Sequence, residues 1–325
     1  MVEKCAFLFP GQGAQTPGMA LDLWEKYDVV KRLFALAGEV LKTDAVALLR
    51  DSSPDELKRT EVAQPSIALA ELAAFAVFRE RGVVPVAAAG HSLGEYPALA
   101  AAGVIDEESC LRLVTQRGKA MAWAVKEAVL LDNAGDVGNR ESGGIWMAAV
   151  IGLPPETIEG LAAAWTKEGF PGLYAANLNS ARQTVVSGTR AVLQEAEARF
   201  KAAGAKRFVP LAVGGPFHSP LMRRAAERFE EALVPVSFAD PVIPFFSNVT
   251  GKQETSGAEL KRLAVKQITG TVRWTDIEAG IAALGVGAVL EAGPGKTLCG
   301  LWKDSGSAVP CYAAGSEADI QAIDG

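Results

Sequence analysis

The sequence predicts an α/β fold, with a large α/β-hydrolase-like domain on a parallel sheet and a small ferredoxin-like domain inserted into it. Short apolar strands alternate with helical patterns over most of the 325 residues, as in a parallel sheet flanked by helices. One stretch instead has the order β-α-β-β-α-β, which is typical of a ferredoxin-like unit. A chain of this length can bury a sizeable core, as one large domain or as two unequal ones.

The first part of the predicted large domain covers residues 1–144. Its elements are strands at 5–9 and 83–89 and helices at about 19–27, 29–50, 64–81, 93–102 and 107–126. A Pro-Gly-Gln-Gly turn follows the first strand. Asp106 is predicted to cap the helix that begins at 107, because Glu107 and Glu108 occupy its first turn. A polar, Gly-rich loop over 131–144 then leads to the inserted domain.

The inserted domain is predicted at 145–208, and the large domain resumes over 209–325. Strands are expected at 145–153, 173–179, 183–187 and 206–213, with helices at 154–169 and 191–204. The returning part of the large domain is expected to contain helices at 220–233 and 257–268, strands at 243–247 and 288–291, and a last helix from about Thr297. Repeats and low-complexity tracts are missing from the sequence.

Bulk properties narrow the classes of function. The net charge of −6 does not suggest a nucleic-acid partner, which usually needs a basic surface. The four cysteines, at 5, 110, 299 and 311, are far apart in sequence and lack metal-site spacing, so reduced thiols are expected. No signal peptide or apolar run of ~18 residues stands out, and the expected location is therefore the cytoplasm. Glycine-rich turns at 11–13 and 293–297 miss the spacing of nucleotide-binding loops.

Residues 87–103 predict a nucleophile elbow. A strand meets a helix at Ser92, which stands between Gly90 and Gly94 in the pattern Gly-x-Ser-x-Gly. The glycines leave room in a crowded turn, and the hydroxyl is placed near a helix N-terminus whose N–H groups suit an oxyanion. The same five residues also occur as a turn without chemistry, so the pattern alone leaves both interpretations open.

The chain offers only two histidines as a base for Ser92. His91 is its neighbour, and adjacent side chains diverge on a sharp turn. His218 lies in the segment GGPFHSP, a tight turn that can hold an imidazole in one orientation for general base catalysis. A histidine that only caps or stabilises this turn is the alternative.

Arg117 is predicted to point into the protein. The apolar residues of helix 107–126 form one stripe, consisting of Cys110, Val114, Met121 and Val125. Arg117 falls near the middle of that stripe, whereas Arg112, Lys119 and Lys126 fall on the opposite face. A buried guanidinium requires an anion. That anion is either an internal carboxylate or the carboxylate of a substrate, which a guanidinium binds well in bidentate fashion.

Seven segments in a fixed order carry a family resemblance that covers nearly the whole chain. They are FPGQGAQ, GHSLGEYPALAAAG, TQRGKAM, NLNSARQTVVSG, PFHS, SNVTGK and EAGPGKTL. Together they resemble the malonyl-CoA:acyl carrier protein transacylases, and they are similar to the acyltransferase domains of polyketide and fatty acid synthases. Seven spaced motifs are far more specific than one.

The resemblance implies catalytic roles for the matching residues. Ser92 would be the acylated nucleophile, His218 its base, and Arg117 the group that holds the malonyl carboxylate. A backbone carbonyl in the stretch 265–267, which we place at Gln267, would orient the histidine. We expect this carbonyl instead of a buried Asp, because a carboxylate at the site would repel a malonyl carboxylate.

The resemblance also implies how substrate is held. The backbone N–H groups of Gln12 and Leu93 would form the oxyanion hole. Leu93 and Phe217 match the pattern of enzymes that use malonyl rather than methylmalonyl groups. The connection between Ala128 and Met147 is longer than the family leads us to expect, and Ile145-Trp146 replaces small residues. These departures affect the expected rim of the site and the surface that docks the carrier protein.

The expected activity is a ping-pong transfer of malonyl from malonyl-CoA to the phosphopantetheine thiol of acyl carrier protein, supplying extender units for fatty acid synthesis. No metal or redox cofactor, no nucleic acid and no membrane are expected, and the chain is expected to be a monomer. Alternatives are a trans-acting polyketide acyltransferase, a non-catalytic carrier-binding module, and a serine hydrolase or thioesterase of the α/β-hydrolase type. The hydrolase fold places its histidine late, whereas here no histidine follows His218.

Overall fold

The computed structural model describes residues 4–133 and 146–324, and these residues form two β-sheets with helices packed around them. The strands are β1 Cys5–Phe9, β2 Ala87–Gly90, β3 Met147–Ile151, β4 Leu173–Ser180, β5 Gln183–Gly188, β6 Arg207–Pro210, β7 Phe245–Phe246, β8 Gln253–Glu254, β9 Ala288–Glu291 and β10 Cys311–Ala313. The predicted α/β class is confirmed.

Helices connect these strands along the chain. They are α1 Leu21–Lys26, α2 Asp28–Leu41, α3 Ala45–Asp51, α4 Pro54–Lys58, α5 Thr60–Glu80, α6 Glu95–Ala101, α7 Glu107–Asn133, α8 Pro155–Lys167, α9 Arg190–Ala202, α10 Arg223–Leu233, α11 Gly257–Gln267, α12 Trp274–Ala283, α13 Thr297–Asp304 and α14 Glu317–Asp324. Short 3₁₀ turns at Ser92–Gly94 and Pro220–Met222 precede α6 and α10.

The large sheet has the strand order β10-β9-β1-β2-β7-β8. Its pairs are parallel except for the edge strand β8, which pairs with β7 in the antiparallel sense. The central strand β1 is fully buried, and Phe7 packs edge-on against Phe75 of α5 with ring centroids 5.3 Å apart. The carboxyl ends of β1 and β2 lie side by side, which is where open α/β sheets bind their ligands.

The small sheet has the order β4-β5-β3-β6, and its neighbouring strands are antiparallel. With α8 and α9 packed on one face around Phe200 and Trp165, this is the predicted ferredoxin-like order. β6 continues to Pro210, beyond the predicted domain end at 208. The other predicted boundary, at 144/145, lies outside the described residues, so the division into domains stays a prediction.

The small sheet is joined directly to the large domain. Asn177 of β4 forms a parallel bridge with Val272, just before α12. The main-chain N–H of Leu178 donates to the Val272 carbonyl at 2.9 Å, and the Val272 N–H donates to the Ala176 carbonyl at 2.8 Å. These bonds place β4 over the carboxyl edge of the large sheet, so that a cleft forms between the two sheets.

Several predicted elements differ from those observed. The single helix at 29–50 is two helices, because Lys42 adopts a left-handed backbone (φ 58°) and Asp44 caps α3. Asp106 does cap α7, accepting from the Ser109 N–H at 2.7 Å, but the helix runs to 133 rather than 126. α4, α12, β8, β10 and α14 were not predicted. The rest of the predicted loop, and Ile145, lie outside the described residues.

α5 is the central helix of the large domain. By length and hydropathy it could cross a membrane, but 89% of its most apolar window is buried inside the protein. Its apolar character is therefore that of a core helix. The sequence did not show this, because polar residues interrupt every apolar run.

Two cysteines that are separated in sequence meet in the structure. Cys299 on α13 and Cys311 on β10 have Sγ atoms 2.7 Å apart, and both residues are partly exposed. All four cysteines are free. The sequence did not show that this pair meets, because β10 was not predicted.

Candidate active site

Ser92 occupies the predicted strand-turn-helix elbow at the end of β2. Its φ of 54° is a left-handed conformation that non-glycine residues rarely adopt and that must be held by neighbours. A Cβ at Gly90 would lie 1.9 Å from the carbonyl oxygen of Gly94, and one at Gly94 would lie 2.1 Å from that of Phe9. Both positions therefore require glycine, and the elbow is built as the sequence predicts.

Ser92 and His218 are in direct contact. Ser92 Oγ lies 2.7 Å from His218 Nε2, and His218 also has a left-handed backbone, with φ 55°. On the far side of the ring, Nδ1 lies 2.9 Å from the carbonyl oxygen of Gln267 and 3.2 Å from that of Gly270. Two carbonyl acceptors require Nδ1 to carry the proton, so Nε2 is free to accept the serine proton.

The imidazole of His218 is neutral at physiological pH. Burial, together with the positive charge of Arg117, lowers its pKa from 6.5 to about 3. A general base must be unprotonated before the reaction begins. The low pKa ensures this, and the carbonyl of Gln267 lies at the position where the sequence placed an orienting carbonyl.

His91 faces away from the serine hydroxyl. Its Nε2 lies 2.9 Å from Asn179 Oδ1 on β4, and its ring packs against Trp274 at 5.3 Å. A Cβ at Gly11 would lie 2.7 Å from the His91 carbonyl oxygen. His91 therefore fastens the elbow to the small sheet and to the turn after β1, in agreement with its exclusion as the base.

Arg117 is buried, with 1% of its surface exposed, and it points at Ser92. Its Nη1 donates to Gln64 Oε1 at 3.0 Å, and its Nη2 donates to Gln267 Oε1 at 2.9 Å and to Ser92 Oγ at 3.3 Å. The guanidinium also lies over the ring of Tyr96. Its direct partners are amide and hydroxyl oxygens, so the internal carboxylate considered from the sequence is not in contact with it.

A cavity of about 280 Å³ opens above Ser92 between the two sheets. Its floor is polar and includes Ser92, His218, Arg117 and Gln64. Its walls are mainly apolar, and they include Met121, Met147, Val185, Leu211, Phe217 and Leu298. A narrow apolar cleft that ends on a few convergent polar groups is typical of a small-molecule site.

Of the other predicted site residues, Gln12 and Phe217 line the same cavity, and Leu93 lies next to Ser92. Gln12 lines it from the turn after β1, and its side chain donates to Thr60 Oγ1 at 3.3 Å. Leu93 follows Ser92 in the 3₁₀ turn, with its side chain buried. Phe217 is buried next to His218 and lines the cavity wall. The structure thus brings all seven predicted residues together, and their individual roles stay predictions.

Sequence reasoning missed three residues of this network. Gln64 holds Arg117, as described above. Asn248 accepts the Ser92 N–H on Oδ1 and donates from Nδ2 to the Gly90 carbonyl, both at 2.7 Å. Glu95 is a buried carboxyl next to the elbow, bonded to Gln267 and Asn248; such a carboxylate was considered from the sequence only as a group that would repel malonyl. Its position three residues after Ser92, on the same helical turn, was the available signal.

The site has no arrangement of side chains that suits a metal ion among the described residues. Within residues 4–133 and 146–324, no group of three or more His, Cys, Asp or Glu side chains could hold a metal ion. The polar groups at the floor of the cavity are instead arranged around one hydroxyl, with a neutral base on one side and a buried cation on the other. Such an arrangement can form and break an ester on Ser92.

Comparison with known proteins gives consistent matches over almost the full chain. A family model described as an acyl transferase domain matches residues 6–311. A malonyl CoA-acyl carrier protein transacylase from Escherichia coli O157:H7 is 40% identical over 303 residues, which cover 93% of this chain and 93% of the relative.

Solved structures also match this chain over nearly its full length. An acyl carrier protein S-malonyltransferase from Vibrio cholerae O1 biovar eltor is 37% identical with a TM-score of 0.89, covering 99% of this chain and all of the other. A type II PKS acyl-carrier protein in complex with its malonyl-transacylase supplies a second match. That match is 37% identical with a TM-score of 0.88 and covers 99% of both chains.

Proposed function

This chain belongs to the acyl transferase family, and from that premise we propose that it transfers malonyl groups from malonyl-CoA to the phosphopantetheine thiol of acyl carrier protein. One observation carries the proposal. Ser92 Oγ lies 2.7 Å from the ring nitrogen of a neutral histidine and 3.3 Å from the guanidinium of a buried arginine. A nucleophile, a base and a binding group for an acidic acyl chain thus converge on one atom.

The first half-reaction loads the enzyme. Ser92 Oγ attacks the thioester carbonyl of malonyl-CoA, and its proton passes to His218 Nε2. The negative charge that develops on the carbonyl oxygen is stabilised by the N–H groups of Gln12 and Leu93. When the tetrahedral intermediate collapses, the C–S bond breaks and the CoA thiolate takes the proton from His218. The products are malonyl-Ser92 and CoA.

The second half-reaction reverses the roles of the two thiols. The pantetheine thiol of the carrier protein enters the cavity, and His218 Nε2 accepts its proton. The thiolate attacks the malonyl-Ser92 ester, the C–O bond breaks, and Ser92 regains the proton. Because His218 alternates between base and acid, its Nδ1 must stay bonded to the Gln267 and Gly270 carbonyls throughout.

Arg117 gives the site its preference for an acidic acyl group. Its guanidinium already lies against Ser92, and burial makes an unpaired cation costly. A malonyl carboxylate placed beside it would gain a charge-assisted pair of hydrogen bonds. Phe217 narrows the wall next to His218, and we assign to it the exclusion of a branched methylmalonyl group.

The chemistry requires no resident cofactor. CoA leaves as a product, and the pantetheine arm is part of the acceptor protein. We assign the enzyme to the cytoplasm, where both substrates are available to it. That the chain acts as a monomer stays a prediction.

The alternatives differ in their acceptor. A hydrolase would pass the acyl group to water, and a non-catalytic module would not form an acyl-enzyme. The matching relatives favour transfer, and the extender units are supplied to fatty acid synthesis. A polyketide carrier protein would undergo the same chemistry, so only the choice of carrier separates the two pathways.

The test follows the two half-reactions separately through the release of CoA. Malonyl-CoA is mixed with the enzyme, and CoA release is followed with no acceptor, with holo acyl carrier protein, and with the apo carrier, which lacks the thiol. One equivalent of CoA should be released at once, and further turnover should occur only with the holo carrier. Continued release without an acceptor would identify a hydrolase.

A further inference from the structure

A buried carboxyl group lies beneath the nucleophile elbow and takes no part in the mechanism above. Glu95 begins α6 and is 3% exposed. Its Oε2 accepts a hydrogen bond from Gln267 Nε2 at 2.6 Å and another from the Asn248 main-chain N–H at 3.3 Å. A buried carboxylate is retained only where such donors offset its loss of hydration.

The two partners of Glu95 are the residues that hold the catalytic groups. Gln267 donates from Nε2 to the Ser92 carbonyl at 2.8 Å, while its Oε1 accepts from Arg117 and its main-chain carbonyl faces His218. Asn248 holds the backbone that leads into the strained Ser92, because it bonds the Gly90 carbonyl and the Ser92 N–H. Glu95 therefore fixes the orientation of the Gln267 amide, with Nε2 toward itself and Oε1 toward the guanidinium.

Glu95 also supplies the negative charge that faces the buried guanidinium. The titratable groups around its carboxyl are Arg117 of α7 and the phenol of Tyr96 on its own helix. Only one side-chain amide, that of Gln267, separates the carboxyl from Arg117. A substrate carboxylate that binds Arg117 would then share the cation with Glu95.

We propose that Glu95 is a positioning residue for acyl transfer, which holds Gln267 and Asn248 in place and whose charge sets the affinity of the site for acidic acyl groups. This inference rests on the proposed function. When Glu95 is ionised it competes with the malonyl carboxylate for Arg117, and when it is protonated it does not. An acetyl group has no carboxylate, so the competition does not affect it.

The proposal predicts a pH dependence that belongs to Glu95 alone. Burial raises its pKa from 4.5 to about 7, although the bonds from Gln267 and Asn248 oppose this shift. Burial lowers the pKa of His91, and it lowers that of His218 to about 3, so burial favours the neutral form of both rings. Raising the pH through 7 ionises Glu95 and should weaken malonyl binding.

The experiment compares the KM for loading from malonyl-CoA with that from acetyl-CoA between pH 6 and 8.5. Acetyl-CoA corrects for the ionisation of the CoA phosphates. In the wild type, the ratio of malonyl to acetyl KM should rise about three- to tenfold, equivalent to a coupling of ~0.7–1.4 kcal/mol. Glu95→Gln, which keeps an acceptor for Gln267 but has no charge, should make the ratio independent of pH. Glu108→Gln, at an exposed position on α7, serves as the control and should keep the wild-type profile.

A second variant tests the positioning role. Glu95→Ala removes the acceptor, so the loading kcat should fall for malonyl and acetyl alike, and Glu95→Gln should restore part of it. Thermal unfolding of both variants separates this loss from misfolding. A wild-type kcat in folded Glu95→Ala, or an unchanged pH profile in Glu95→Gln, would overturn the inference. A wild-type enzyme that is not loaded on Ser92 at all would instead overturn the proposed function.

Discussion

Replacing Arg117 with alanine should separate recognition of the malonyl carboxylate from acyl transfer itself. Arg117 is buried and shares its Nη2 between Gln267 and Ser92. Removing one member of a desolvated charge pair costs about 2–5 kcal/mol. At about 1.4 kcal/mol per decade, malonyl loading should fall roughly 30- to several-thousand-fold. Acetyl loading should fall little or even rise, because an acetyl group makes no contact with the guanidinium.

The assay measures the rate of Ser92 acylation from each thioester, by rapid quench and intact mass. Arg117→Lys should recover only part of the malonyl rate, since an ammonium lacks the planar fork of the guanidinium. Arg112→Ala is the matched control, because Arg112 lies on the exposed face of the same helix and pairs with Glu108 there. If Arg117→Ala slows malonyl and acetyl loading by the same factor, Arg117 only supports Gln267 and Ser92, and the reasoning about substrate charge is wrong.

Three further predictions concern the dyad and the buried carboxyl groups. Ser92→Ala should abolish acyl-enzyme formation, and His218→Ala should reduce its rate by up to roughly a millionfold, because the two act as one unit; quenched-flow loading measures both. The pKa of His218, about 3, keeps the base neutral, so kcat for loading from saturating acetyl-CoA should stay level from pH 8 down to 5, and a decline in kcat centred near pH 6.5 would contradict this. Burial, reinforced by Glu291, raises the pKa of Glu71, whose oxygens have no hydrogen-bond partner among the described residues. The folded chain therefore keeps a proton on Glu71 that the unfolded chain loses above the ordinary pKa of glutamate. The free energy of unfolding then falls as the pH rises. Relative to the wild type, Glu71→Gln should raise the free energy of unfolding by up to about 1.4 kcal/mol per pH unit above the ordinary pKa of glutamate. Urea unfolding at pH 5 and 8 measures this, with the exposed Glu80→Gln as control. A difference that does not grow with pH would refute the prediction.

Local patterns in the sequence predicted part of the geometry of the site. Gly90 is required by a contact with Gly94, which is close in sequence, whereas Gly94 is required by its approach to the Phe9 carbonyl at the end of β1. Arg117 was predicted to be buried from helical periodicity, because the apolar stripe of α7 spans about four turns. The family resemblance then placed Gln267, whose carbonyl faces His218 as expected.

The remaining features depend on contacts between distant parts of the chain. Glu95 and Gln267 are far apart in sequence, and no local pattern shows that they share a hydrogen bond. An acidic residue at the start of a helix normally faces solvent and interacts favourably with the helix dipole. For this reason nothing in the sequence indicated that Glu95 is buried. The meeting of Cys299 and Cys311 required β10, a strand of three residues at the sheet edge. Short edge elements carry too few residues for periodicity to reveal them.

The most direct test of the account is to locate the covalent intermediate. The enzyme is mixed with malonyl-CoA, quenched in acid, digested and mapped by mass spectrometry, and a parallel sample is first chased with holo acyl carrier protein. The account predicts one malonyl group per chain, on Ser92, and its transfer to the carrier thiol in the chased sample. A malonyl group on any other residue, or an ester on Ser92 that water removes as fast as the carrier does, would contradict it.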